Sequence, residues 1–177
     1  MDQAERADIS IVIDRSVAII TFDRPKALNA LTRDMRARML VAFPKFARDP
    51  MIYAVVQRST SPKAFSAGAD VREIIALAKS DMVAARRAFR EEYALDWQIE
   101  CFSKPTVSLI DGMVMGGGVG VSAFGTHRVA GEGYRWAMPE TMIGLFPDVG
   151  VAHTLSRLDG SVGMYLGLTG HTIGRAG

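Results

Sequence analysis

The sequence contains a single cysteine, Cys101, and no apolar run long enough to cross a membrane. One cysteine excludes an internal disulfide framework and any metal site built from several cysteines, and we expect Cys101 to be a small buried residue. A membrane-spanning helix needs ~20 consecutive apolar residues, and the polar residues 1–10 are unlike a secretory signal. These absences predict a cytoplasmic protein without a membrane partner.

The sequence also lacks an excess of charge of either sign. The 21 Lys and Arg residues nearly balance the 19 Asp and Glu residues, and the basic residues are scattered. A nucleic-acid-binding protein usually has a clustered basic patch, so no nucleic-acid partner is expected. His127, His153 and His171 lack metal-ligand spacing, so no metal is expected. Apolar residues are abundant, at 49%, and predict one domain with a packed core.

Strand and helix patterns alternate along the chain. β-Branched runs at 9–13 and 17–22 predict a hairpin, and Thr32 precedes a helical pattern that reaches about Ala47, with a kink or an early end expected at Pro44. Such alternation indicates an α/β fold with crossover connections. The other predicted strands are 52–57, 106–110, 127–130 and 134–137, the other predicted helices are 71–78, 82–102, about 120–124, 149–158 and 161–168, and residues 169–177 are predicted to be a loop.

Two glycine-containing turns each lead into a predicted helix. The first turn, residues 65–70, reads FSAGAD, and the second turn, residues 115–120, reads MGGGVG. Unpaired N–H groups at two facing helix N-termini could bind one oxyanion between them, and glycine allows a ligand to approach the backbone. Ordinary strand-to-helix punctuation is the alternative interpretation of each turn.

The second turn also matches a dinucleotide-binding pattern. Gly118, Gly120 and Ala123 fit G-x-G-x-x-A, and Glu140 lies twenty positions after Gly120. That pattern requires the glycines to follow a strand directly. Because the preceding strand is predicted to end near Ile110, we do not expect a nicotinamide or flavin site.

Two carboxylates follow prolines in the mostly apolar segment MPETMIGLFPDVG, residues 138–150. Glu140 fits the first turn of a helix, and Asp148 fits a turn residue or a helix cap. Their apolar neighbours also favour a chemical role, because desolvation raises the pKa of a carboxyl group towards neutrality, where proton transfer is efficient. The spacing does not decide between these interpretations.

The segments RPKALNAL, KAFSAGAD, FREEY, MGGGVG and MPETMIGLFPDVG occur in this order. Together they resemble the crotonase (enoyl-CoA hydratase/isomerase) superfamily over about residues 17–170, and the last three are most similar to its 3-hydroxyisobutyryl-CoA hydrolase branch. The resemblance implies an α/β crotonase-like spiral of repeated β-β-α units with surrounding helices. It implies an acyl-CoA substrate, no separate cofactor, and a homo-oligomer based on trimers if the chain is complete.

Members of this superfamily continue into C-terminal helices that the sequence does not show. We therefore expect residues 1–177 to form a single crotonase-like core domain, with the C-terminal helical region absent or truncated. An apolar face left uncovered in this way would favour association.

The resemblance also implies roles for individual residues. By motif position, the backbone N–H groups of Ala67 and Gly117 would donate to the thioester oxygen, and Glu140 and Asp148 would be the catalytic acids. Glu92 matches a substrate-binding position, with a solvated helix face as the alternative. The other implied substrate contacts lie in the two turns, at Gly68, Ala69, Asp70, Gly116 and again Gly117.

The implied reaction is hydrolysis of a short 3-hydroxyacyl-CoA thioester. Hydratases of the superfamily carry a second catalytic glutamate where this chain has Gly120, so efficient hydration is not expected. Hydration or isomerisation with Glu140 as the single proton shuttle, and acyl-CoA binding without catalysis, are the alternatives.

Overall fold

A computed structural model describes residues 7–175 of the chain. The prediction about the N-terminal segment falls mainly on residues 1–6, which lie outside the described residues. No helix within residues 7–175 is long and apolar enough to cross a bilayer. The elements are β1 (Ile9–Asp14), β2 (Val17–Phe22), α1 (Arg33–Arg48), β3 (Ala54–Ser59), β4 (Ala64–Ser66), α2 (Val71–Ser80), α3 (Met82–Glu100), β5 (Thr106–Ile110), β6 (Met113–Met115), α4 (Gly117–Ala123), β7 (His127–Ala130), β8 (Arg135–Ala137), α5 (Val151–Leu155), α6 (Val162–Thr169) and β9 (Ile173–Gly174).

The strands form two sheets, and successive strand pairs divide between them. The larger sheet has the order β1-β2-β3-β5-β7, and the smaller has the order β4-β6-β8-β9. β1 and β2 form the predicted antiparallel hairpin, whereas β2, β3, β5 and β7 run parallel. The pairs β3/β4, β5/β6 and β7/β8 each give one strand to each sheet before helical structure follows. This arrangement confirms the predicted spiral of β-β-α units.

Helix α1 covers the larger sheet with an apolar face. Its first turn is capped by Thr32, whose Oγ1 accepts a hydrogen bond from the N–H of Met35 at 3.2 Å. Met35, Met39 and Phe43 on this face are at most 1% exposed. The prediction of an early end at Pro44 is wrong, because α1 continues to Arg48. Burial of aromatic side chains on both sides of Pro44 offsets the hydrogen bond that proline cannot make.

β4, β6 and β9 were not predicted: β4 and β6 have three residues each and β9 has two, which is too short for a clear alternating pattern. The equally short β8 was predicted. β9 lies in the segment predicted to be a loop, and β3 begins two residues later than predicted. Cys101 is exposed at the end of α3, so the prediction that it is buried is also wrong.

Candidate active site

The two glycine turns face each other at one edge of the smaller sheet. They follow β4 and β6, which are parallel neighbours. A Cβ atom built on Gly68 would lie 3.1 Å from the nitrogen of Gly117, and one built on Gly117 would lie 3.3 Å from the nitrogen of Ala69. Gly68 and Gly116 also have positive φ angles, of 94° and 48°, which favour glycine. The turns therefore approach closely because neither carries a side chain between them.

The first turn leaves one amide free, and it is not the predicted one. The N–H of Ala67 donates to the carbonyl oxygen of Leu28 at 2.9 Å, so the prediction of Ala67 as an oxyanion donor needs correction. In the parallel bridge between Leu31 and Ala69, the bonds to Leu31 involve Gly68 and Asp70, so the N–H of Ala69 points away from it. The N–H of Ala69 makes no hydrogen bond to residues 7–175, and the nitrogen of Ala69 lies close to Gly117.

The second turn supplies the other amide. Gly117 is the first residue of α4, and the first N–H groups of a helix have no acceptor within the helix. Within the described part of the chain its N–H has no hydrogen-bond partner. The amides of Ala69 and Gly117 therefore form the pair that could bind one oxyanion.

A cavity of about 320 Å³ opens beside these amides. All of the predicted site residues except Asp70 line this cavity, and its other lining residues are mainly apolar. Its lining residues are Ala67, Gly68, Ala69, Val71, Ile74, Phe89, Glu92, Gly116, Gly117, Pro139, Glu140, Met142, Ile143, Leu145 and Asp148.

Asp70 has a structural role instead of lining the cavity. Its carboxylate caps α2 by accepting hydrogen bonds from the N–H groups of Arg72 and Glu73, and it pairs with Arg24 at 2.8 Å. Burial acts to raise the pKa of Asp70, but the hydrogen bonds and the Arg24 charge outweigh it and leave the pKa lowered. The predicted substrate contact of Asp70 therefore lacks geometric support.

Glu140 lies directly beside the second turn. It begins a short 3₁₀ turn, Glu140–Ile143, and is 7% exposed. A Cβ atom built on Gly116 would lie 2.7 Å from its Oε1, and its Oε2 has no partner within residues 7–175. Burial raises the pKa of Glu140 to about 7, and the nearby carboxyl groups of Asp148 and Glu92 contribute to the rise. An acid with this pKa suits proton transfer near neutrality.

Asp148 is held in the cavity wall by a hydrogen bond from α3. The hydroxyl of Tyr93 donates to its Oδ2 at 2.8 Å. Burial raises the pKa of Asp148, although the Tyr93 hydrogen bond opposes the rise. The next residue, Val149, has φ of 45°, which is strained for a β-branched side chain. Such strain is commonly found where the surrounding structure fixes a functional side chain.

Glu92 is buried, so the alternative of a solvated helix face is wrong. It is 3% exposed, and a Cβ atom on Gly117 would collide with its Oε1. Its Oε2 lies 3.3 Å from Nη1 of Arg36, which comes from α1. Burial raises the pKa of Glu92 to about 7, with the Arg36 charge opposing the rise and the Asp148 charge adding to it.

Asp96, one helical turn after Glu92, is a further buried acid outside this cavity. It is 6% exposed, and neither carboxyl oxygen has a partner among the described residues. Burial raises its pKa to about 8, and the charges of Glu92 and Asp148 contribute. A Cβ atom built on Gly120 would lie 2.7 Å from its Oδ1, so Asp96 occupies the space above that glycine.

Three neighbours of the site were missed by sequence reasoning: Tyr93, Arg36 and Asp96. Tyr93 adjoins Glu92 in sequence, and Asp96 lies four positions after Glu92, on the same helix face. That spacing was available as a signal. Arg36 gave none, because only the packing of α1 against α3 brings it to Glu92.

The chemistry of the cavity favours a developing oxyanion over a bound phosphate or metal. β6 ends directly before Gly116, so the argument that no strand precedes the glycine cluster is wrong. Two converging amides suit a single charge that develops on one oxygen, whereas a pyrophosphate would bring several permanent negative charges next to the three carboxyl groups of the cavity wall. No group of three His, Cys, Asp or Glu side chains within residues 7–175 could hold a metal ion.

Comparison with known proteins supports the resemblance. Residues 17–177 match the enoyl-CoA hydratase/isomerase family. The chain is 46% identical over 164 residues to a protein of Gallus gallus named 3-hydroxyisobutyryl-CoA hydrolase, mitochondrial, covering 93% of this chain and 43% of that protein. The chain thus spans less than half the length of this curated relative.

Solved structures agree in fold. An enoyl-CoA hydratase from Rhodobacter sphaeroides superposes with a TM-score of 0.93 at 40% identity, over 96% of this chain and 51% of that one. A carnitinyl-CoA dehydratase from Mycobacterium thermoresistibile gives a TM-score of 0.92 at 40% identity, over 96% and 50% of the two chains. The chain therefore belongs to the enoyl-CoA hydratase/isomerase family, also called the crotonase superfamily.

Proposed function

We propose that this chain carries the site of an acyl-CoA thioester hydrolase acting on a short 3-hydroxyacyl-CoA, such as 3-hydroxyisobutyryl-CoA. The observation that carries the proposal is the convergence of two free amides, at Ala69 and Gly117, beside the buried carboxyl group of Glu140. Curated relatives named as 3-hydroxyisobutyryl-CoA hydrolases support this choice within the family.

In the proposed reaction, the thioester oxygen accepts hydrogen bonds from the N–H groups of Ala69 and Gly117. These donors stabilise the negative charge that develops on this oxygen, and one such donor is typically worth ~10²–10³ in rate. The surrounding apolar side chains lower the local dielectric and strengthen both bonds.

In its ionised form, Glu140 acts as the nucleophile or as the general base. It either attacks the carbonyl carbon to give an acyl anhydride that water then cleaves, or takes a proton from the attacking water. In the anhydride route the C–S bond breaks to release the coenzyme A thiolate, which takes a proton from the water that then cleaves the anhydride. In the general-base route Glu140 passes the proton of the attacking water to the departing sulfur. Both routes end with the coenzyme A thiol and the hydroxy acid. Asp148, held by Tyr93, orients the water or the substrate hydroxyl.

Hydration of an enoyl-CoA is the second candidate, favoured by the names of the two superposed structures. It requires a proton to be delivered to one carbon while water adds to the other. Gly120 carries no side chain and the oxygens of Asp96 are buried away from the cavity. The other acids of the cavity wall are already engaged, Glu92 by Arg36 and Asp148 by Tyr93, so Glu140 would act as the single proton shuttle.

One assay with two substrates separates these candidates. Thiol release from 3-hydroxyisobutyryl-CoA reports hydrolysis, whereas loss of crotonyl-CoA absorbance reports hydration. The exposed Cys101 would react with thiol reagents, so the assay uses the Cys101→Ser background. We expect thiol release alone. Acyl-CoA binding with neither activity would support a binding protein, and no acyl-CoA binding would contradict the proposal.

Substitution of Glu140 tests the mechanism. Glu140→Gln keeps the shape of the side chain but removes its basicity, and we expect thiol release to fall roughly 10²–10⁴-fold. Glu132→Gln makes the same change at an exposed position and serves as the control. Near-normal turnover by Glu140→Gln would contradict the assigned role.

A further inference from the structure

A buried arginine lies behind the wall of the candidate active site. Arg36 is 1% exposed, and its Nη1 lies 3.3 Å from Oε2 of Glu92. Its Nε and Nη2 have no hydrogen-bond partner within residues 7–175. Because a guanidinium group does not lose its proton in proteins, this burial fixes a positive charge immediately behind the cavity.

The charge of Arg36 requires a negative partner. A buried cation without a counterion strongly destabilises the fold, and Glu92 makes the ion pair with Arg36. The second nearby carboxyl group, Asp96, has no partner among the described residues, and burial raises its pKa further than that of Glu92. The buried cluster of Arg36, Glu92 and Asp96 therefore has no net charge when Glu92 is ionised and Asp96 keeps its proton.

The two oxygens of Glu92 have different surroundings. Oε2 is directed to Arg36, whereas Oε1 lies against Gly117, at the amide that would bind the thioester oxygen. An acyl group bound at this amide would therefore meet Oε1. A carboxylate oxygen accepts hydrogen bonds and cannot donate them.

We propose that Arg36 is a positioning residue: it holds Glu92 as an oriented carboxylate and thereby makes the cavity select acyl groups that carry a hydrogen-bond donor. This inference rests on the proposed acyl-CoA function. Arg36 touches neither the cavity nor the substrate and acts only through Glu92. Without its charge, Glu92 would take up a proton at neutral pH and lose part of its strength as an acceptor.

The protonation of Glu92 depends on several neighbours besides Arg36. Each of these groups interacts with Glu92 through its charge or through a coupled titration, so a test has to separate them from Arg36. They are Tyr93 and Asp96 on α3, Glu140 in the 3₁₀ turn, and Asp148 before α5.

The first measurement needs no ligand. The titration of Glu92 is followed by carbon NMR of the side-chain carboxyl carbons and assigned with Glu92→Gln. Arg36→Met and Arg36→Gln both remove the charge, and in either variant we expect the midpoint to rise by about one pH unit or more. Arg36→Lys keeps a positive charge, so the midpoint of Glu92 should return most of the way to its wild-type value. Arg48→Met removes the same charge from an exposed position on α1 and should leave the midpoint unchanged.

The second measurement compares two thioesters. For 3-hydroxyisobutyryl-CoA we expect Arg36→Met to raise KM about tenfold at pH 7, with kcat changed much less, as for loss of one charge-assisted hydrogen bond. For isobutyryl-CoA, which lacks the hydroxyl, KM should stay within about twofold. The defect should shrink once the pH exceeds the new midpoint of Glu92, which a merely structural role would not produce.

The two measurements test separate claims. A Glu92 midpoint that is unchanged in folded Arg36→Met or Arg36→Gln would overturn the inference. Equal KM increases for the two thioesters would overturn the claim of acyl selection. A shifted midpoint in a protein that neither binds nor cleaves any acyl-CoA would retain the Arg36–Glu92 coupling and overturn the proposed function.

Discussion

The first and second turns each offer one amide to the same cavity, yet they are stabilised in different ways. In the first turn, side chains hold the backbone: Asn29 donates to the carbonyl oxygens of Ala64 and Phe65, and Asp70 caps α2 while paired with Arg24. In the second turn, glycines allow close packing, and of the two buried acids beside it, Glu92 pairs with Arg36 whereas Glu140 keeps one carboxyl oxygen without a partner among the described residues.

This difference separates acids that stabilise the fold from acids that are available for chemistry. The pKa of the paired Asp70 is lowered, whereas the pKa values of Glu92 and Glu140 are raised to about 7. Perturbed carboxyl groups in a cavity are typical of functional sites. We infer that the acids beside the second turn take part in the chemistry, whereas the side chains around the first turn hold its backbone in place.

The largest effect is expected from a methyl group in the second turn. In Gly117→Ala the added carbon would collide with Oε1 of Glu92 and lie 3.3 Å from the nitrogen of Ala69. The added carbon would occupy the space beside the two amides, where the proposed oxyanion binds, so thiol release should fall by at least about 10²-fold. Gly167→Ala, in α6 and outside the cavity, is the control. Equal activity of the two variants would contradict the central role of the second turn.

A medium effect is expected from Asp96, and it concerns stability. Because its pKa is about 8 in the fold but 3.8 in a model peptide, the unfolded chain releases this proton first as pH rises. Asp96 therefore lowers the free energy of unfolding increasingly between about pH 4 and pH 8. Relative to wild type, the free energy of unfolding of Asp96→Asn should rise by up to about 1 kcal/mol per pH unit in this window.

Urea unfolding of both proteins at pH 5 and pH 8 measures this gain. Glu92 and Glu140 will leave a residual pH dependence in the variant, because their pKa values are raised as well. A difference between the two proteins that does not change with pH would show that Asp96 has an ordinary pKa in the fold.

The smallest effect is expected in the first turn. Asp70→Ala removes a helix cap and the pair with Arg24, and should cost about 1 kcal/mol of unfolding free energy at neutral pH. Since the pKa of Asp70 is lowered, this stabilisation is present above pH 4 and is lost as the pH falls through the lowered value.

The matched variant is Asp81→Ala, which removes only the cap of α3, so the difference between the two variants reports the Arg24 pair. Thermal unfolding at several pH values provides the measurement. A large increase in KM for Asp70→Ala without loss of stability would restore the predicted substrate contact of Asp70.

Local sequence signals predicted the parts of this molecule that are locally determined. The hairpin, the Thr32 cap and the acids Glu140 and Asp148 follow from patterns of neighbouring residues, and the structure brings both acids into one cavity. The family resemblance supplied the spiral of β-β-α units. The predicted single domain, homo-oligomer and cytoplasmic location stay predictions.

The features that sequence did not predict depend on distant contacts. Ala67 and Ala69 are chemically identical, and only the pairing of the first turn with Leu28 and Leu31 decides which amide is free. Likewise, Arg36 becomes a partner of Glu92 only when α1 packs on α3. Hydrogen-bond direction and charge pairing of this kind have no periodic signature in the chain.

The most direct test of the central claim is a crystal structure of the chain with a non-hydrolysable acyl-CoA analogue. We expect the oxygen that replaces the thioester carbonyl to accept hydrogen bonds from the nitrogens of Ala69 and Gly117, at ~2.7–3.1 Å, with the Glu140 carboxyl group beside the acyl carbon. An analogue bound with this oxygen away from either nitrogen, or with Glu140 turned out of the cavity, would contradict the account.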